Sequence, residues 1–128
     1  MTFITEPATL ATDYLLAAFT ATLAWRLRAT GGQVQRWWAV AFAATAVAGV
    51  AGGTVHGFRV VMAPSLTNAL WVLTLEALLV AGLSIVAATC RPALTVAAVA
   101  YAGYAVWVAM HPRFVFAIIG YGAALPVL

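Results

Sequence analysis

Residues 36–58 read RWWAVAFAATAVAGVAGGTVHGF, and after Arg36 no acidic or basic side chain other than His56 interrupts them. About 20 apolar residues in a helix span the ~30 Å hydrocarbon core of a bilayer, so this stretch predicts a membrane-crossing helix. Gly49, Gly53 and Gly57 recur at intervals of four, which sets them on one face and lets another helix approach closely. His56 lies one position from Gly57 and three from Gly53, so its imidazole is expected among packed helices, with the Thr54 hydroxyl nearby. Ala97 belongs to no such stripe.

The remainder of the chain has the same character. Of its 128 residues, 66% are hydrophobic and 7% charged, with a mean hydropathy of +1.05. Soluble domains run at roughly 45–50% apolar and about 25% charged, which excludes a water-soluble fold. Further apolar stretches are expected as helices at 7–27, from Thr67 or Asn68 to Thr89, at 93–110 and, shorter, at 114–128. Pro7 suits a first helical turn, and Thr67 and Asn68 are each plausible N-caps. Thr30-Gly31-Gly32-Gln33, Met62-Ala63-Pro64-Ser65, Arg91-Pro92 and His111-Pro112-Arg113 are read as the connections. The expected fold is therefore all-α, a polytopic transmembrane bundle of about five helices forming one domain over residues 1–128. The opening MTFITEP is acidic and lacks the basic region of a signal peptide, so the first stretch is expected to be retained. The short fifth helix raises the expectation that the chain is an abbreviated form of something longer.

Charge sets the orientation. All six basic residues are arginines, against Glu6, Asp13 and Glu76, for a net charge of +3. Arg26, Arg28, Arg36 and Arg91 fall at one side of the spans and Arg59 and Arg113 at the other. Basic residues are retained on the cytoplasmic side, so the N-terminus is expected outside, in a bacterial inner membrane. Trp25, Trp37 and Trp38 then mark the inner interface, and Trp71 and Trp107 the outer one, as anchors. Scattered arginines make no basic stripe, so nucleic acid is excluded as a partner. Membrane lipid is the expected partner, with self-association or other membrane subunits beside it. The single Cys90 can form no internal disulfide.

Charged groups inside a bilayer are rare, and they are usually paired, solvated or functional. By helical rise, Asp13 and Glu76 fall roughly 9 and 12 Å from the outer ends of their helices, and His56 and His111 lie near the same face. Asp13, His56 and Glu76 are therefore expected to share one buried level in the outer half of the bilayer, with the Tyr104 and Tyr121 hydroxyls at comparable depth. His111, beside Pro112, is expected in a loop. One imidazole and two carboxylates are an adequate donor set for zinc or for a proton relay. No HExxH, GxSxG, CxxC or phosphate-binding glycine loop is present, so whether the chain is an enzyme stays open.

Two local patterns, Glu6-Pro7 with Thr12-Asp13-Tyr14, and Gly52-Gly53-Thr54-Val55-His56-Gly57-Phe58, resemble an uncharacterised family of bacterial multi-pass membrane proteins. They are also distantly similar to the alkaline-ceramidase and progestin-receptor-like membrane hydrolase superfamily. That resemblance covers roughly the first 80 residues and implies a zinc-activated water attacking a lipid amide or related bond. His56 would then be a ligand, with Asp13 or Glu76 as the acids. The superfamily has seven helices and takes two further histidines from its last one, a pair this sequence lacks. The sequence thus favours a small multi-pass membrane protein, accessory or structural and with no cofactor. A metal-dependent membrane hydrolase using zinc and a proton or ion pathway are its rivals.

Overall fold

The computed structural model describes residues 3–123, apart from the Tyr121 side chain. Among the described residues the fold is all-helical. Five helices follow one another: α1 (Pro7–Ala29), α2 (Gln33–Phe58), α3 (Pro64–Thr89), α4 (Leu94–Met110) and α5 (Phe114–Gly122), with a single 3₁₀ turn at Arg91–Ala93 before α4. Three segments, α2, α3 and Arg91–Met110, are long and apolar enough to cross a membrane. The expected first span, α1, is not among them although it has 23 residues, because Asp13 and the threonines at 9, 12, 20 and 22 dilute its apolar character. The fifth is described as only nine residues, and positions 124–128 of the expected span lie outside the described residues.

Boundaries follow from backbone chemistry. Pro7 occupies the first turn of α1, where its missing N–H has no intrahelical partner. Pro64 plays the same part in α3, so that helix begins earlier than expected. Thr67 and Asn68 are not its caps. They lie inside the helix, and the Thr67 hydroxyl donates back to the Ala63 carbonyl at 3.2 Å. Between α1 and α2 the chain turns through Gly31, whose φ of 77° is left-handed and costs glycine nothing.

Residue pairing shows that α1, α2 and α3 are consecutively antiparallel. A Cβ added at Gly49 would meet Asp13 and Ala17, one at Gly53 would meet Asp13 and Tyr14, and one at Gly57 would meet Leu10. The glycine stripe is therefore the contact face between α2 and α1. Gly52, on the adjoining face, meets Thr74 of α3 in the same way. Beyond α3, Leu75 and Leu79 close over Val108 of α4 and Ala117 of α5. Trp71 Nε1 donates to the Pro112 carbonyl at 2.9 Å, and the Tyr101 and Tyr104 hydroxyls donate to Gly120 and Phe116 carbonyls at 2.6 and 2.7 Å. Those three bonds tie α5 and its approach to α3 and α4. Hydroxyls in the apolar helices are satisfied by carbonyls one turn back, as at Thr20, Thr45, Thr74 and Ser84.

Candidate functional site

His56 stands in the last turn of α2, where the antiparallel arrangement brings it beside the start of α1. Its Nδ1 lies 2.9 Å from Glu6 Oε2, the residue that precedes α1. One residue earlier, the Thr5 backbone N–H donates to the Gly57 carbonyl at 3.0 Å, satisfying a carbonyl at the α2 terminus that the helix leaves without a partner. The segment before α1 is thus fastened to the end of α2 by one main-chain and one side-chain bond. On its other side the imidazole meets the edge of Trp71, with ring centroids 6.0 Å apart and planes at 83°. Trp71 therefore packs against the end of α2 and is half-buried. The pair is not deeply buried, His56 being 32% and Glu6 37% exposed.

Asp13 reaches the same region from α1. With His56, Thr45, Trp71, Thr74 and Phe114 it lines a cleft of about 540 Å³ whose apolar walls include Leu16 and Leu78. Two of the three expected site residues are thus brought together. Glu76 is not one of the residues lining that cleft. Because α3 starts at Pro64, Glu76 lies ~18 Å into a helix ~39 Å long, close to its midpoint and one turn deeper than the ~12 Å expected. It also follows Thr74 by two positions, ~200° around the helix, whereas Thr74 is the side that meets α2. Its Oε1 is buried without a hydrogen-bond partner.

Among the described residues no three His, Cys, Asp or Glu side chains are grouped so as to hold a metal ion. The expected set of His56, Asp13 and Glu76 is therefore not among such groups, since Glu76 is absent from the cleft that Asp13 and His56 share and Glu6 lies against one nitrogen of His56. The other expected contributors are engaged elsewhere. The Thr54 hydroxyl lies 2.9 Å from the Tyr14 hydroxyl and donates to the Val50 carbonyl at 2.6 Å. Tyr104 is bound to Phe116, and the Tyr121 side chain lies outside the described residues. His111 sits in the connection after α4, as expected, its Nδ1–H donating to the Trp107 carbonyl at 3.0 Å. The residue that sequence reasoning missed is Glu6. A signal was available, because an acid just before α1 and a histidine at the end of an antiparallel α2 must share one end of the bundle.

A family model described as a family of unknown function, DUF6962, matches residues 8–128. The chain belongs to the DUF6962 family. Asp13, His56 and Glu76 all fall within the DUF6962 match, and Glu6 precedes it. No curated protein and no solved structure matches the chain.

Proposed function

We propose that the chain is a small multi-pass integral membrane protein of accessory or structural role, in which the polar groups at the outer end hold helices together. The observation that carries this reading is the contact of His56 Nδ1 with Glu6 Oε2 at 2.9 Å, next to the Thr5–Gly57 main-chain bond. A histidine held in this way docks the segment before α1 onto α2. Double-mutant-cycle unfolding with Glu6→Ala and His56→Ala tests it. A coupling of about 0.2–1 kcal/mol, the range for partly exposed ion pairs, supports the clamp, and strictly additive effects argue against it.

A second reading, a metal-dependent membrane hydrolase, is favoured by one feature. A metal-bound histidine commonly donates its other ring N–H to a carboxylate, as the Glu6–His56 geometry would allow, and Asp13 lines the same cleft as His56. Catalytic zinc keeps three protein ligands and an open position. His56 and Asp13 are two, so the described residues do not fit such a site, and this reading requires nitrogen ligands from outside them.

A further inference from the structure

At the opposite end of the α1–α2 pair the helices line an open groove of about 730 Å³. Its lining includes Arg28, Arg36 and Trp25 together with Ala24, Ala39 and Ala43. The glycine stripe brings the two helices into contact at 49–57, while near this end the alanines line open space. Arg28 lies in the last turn of α1, where a cation complements the helix dipole. Arg36 lies near the start of α2, where the same dipole disfavours it, so helix stability does not account for that charge. Within the chain the counter-charge is remote. Its acids are Glu6, Asp13 and Glu76, and Asp13 is ~22 Å from Arg28 along α1. Among the described residues the sole ion pair is Glu6–His56.

We infer that this groove is a binding site for an anionic phospholipid, its phosphate held between Arg28 and Arg36 and an acyl chain lying along the alanine wall. Arginine is suited to phosphate because its planar guanidinium can donate two parallel hydrogen bonds. Trp25, 78% exposed, stands where an indole ring meets the headgroup layer. The inference rests on the membrane embedding proposed above and on nothing at the Glu6–His56 end.

The test titrates the full chain, delipidated in neutral detergent, with phosphatidylglycerol or with phosphatidylcholine of the same acyl chains, counting bound lipid by native mass spectrometry. One phosphatidylglycerol per chain is expected, held at least ~10-fold more tightly than phosphatidylcholine. Arg28→Gln with Arg36→Gln, and separately Ala43→Leu, should each weaken it about 10-fold. Arg26→Gln removes a charge at the same end without altering the groove lining, and should change affinity less than about twofold. Circular dichroism and gel filtration check that each variant is folded, and Arg36→Lys, which keeps the charge but loses the paired hydrogen bonds, should bind more tightly than Arg36→Gln and less tightly than wild type. Equal weakening by Arg26→Gln would overturn the site in favour of diffuse attraction. Displacement by inorganic phosphate with Ala43→Leu unaffected would leave a free-anion site, and a lipid-independent dimer lost in Ala43→Leu would put a second copy in the groove; either result overturns the inference. A chain that stays in the aqueous phase on detergent phase separation would instead defeat the membrane reading.

Discussion

Gly49→Ala should destabilise the protein although alanine is the better helix former. A Cβ at position 49 would lie 2.8 Å from the Asp13 carbonyl oxygen and 3.1 Å from Ala17 Cβ. The first distance is about 0.5 Å short of an ordinary carbon–oxygen contact. Neither neighbour can rotate aside, since one is main chain and the other is the first side-chain atom, so α1 itself must retreat. Its loss of contact extends to Gly53 and Gly57, whose neighbours Tyr14 and Leu10 lie on the same face of α1. Overpacking of this kind costs ~1–3 kcal/mol, while replacing glycine within a helix returns about 0.5–1 kcal/mol. The net expectation is a loss of roughly 0–2.5 kcal/mol, centred near 1 kcal/mol. Gly103→Ala supplies the control, because a Cβ there meets nothing within 4 Å; it should be neutral or stabilising. Ala97, free of the glycine stripe, is a poorer control since it packs against the Ala41–Ile85–Val86 cluster. Unfolding in a mixed detergent followed by circular dichroism reads both variants. Equal stability of Gly49→Ala and Gly103→Ala would refute the close-contact account of α1 and α2.

Other perturbations probe different contacts. Trp71→Phe removes the donor to the Pro112 carbonyl and should cost about 1 kcal/mol, with faster amide exchange in α5 and unchanged helix content; exchange spread evenly over all helices would contradict the local role. Cysteine at Gly32 in a Cys90→Ala background should resist an impermeant thiol reagent applied to intact cells, because the arginine-rich ends are proposed to be cytoplasmic. Ready labelling there would invert the orientation.

The helices were legible from apolar runs cut by proline and glycine, and the close-packing face of α2 from its glycines every four residues, though only the structure names α1 as the helix that meets it. The start of α3 was not, because Pro64 reads equally as a loop residue or as a first-turn residue, and Thr67 and Asn68 imitate caps. That one-turn error put Glu76 ~12 Å from the start of α3 instead of ~18 Å. Its rotational position was harder still. Helices apolar on all sides have no polar face to orient them, so counting residues gives depth and leaves azimuth undetermined. The same limit did not affect His56, whose place beside the stripe fixed its side of α2. Glu6 was overlooked because it lies before the first apolar run, although helix direction alone places it opposite His56.

The zinc content of purified protein tests the central claim most directly. If the Glu6–His56 contact is a structural clamp, wild type and His56→Ala should both carry less than about 0.1 zinc per chain, far below the full occupancy of a structural or catalytic zinc site. One zinc per chain in wild type, lost in His56→Ala, would contradict the account and make the hydrolase reading the leading one.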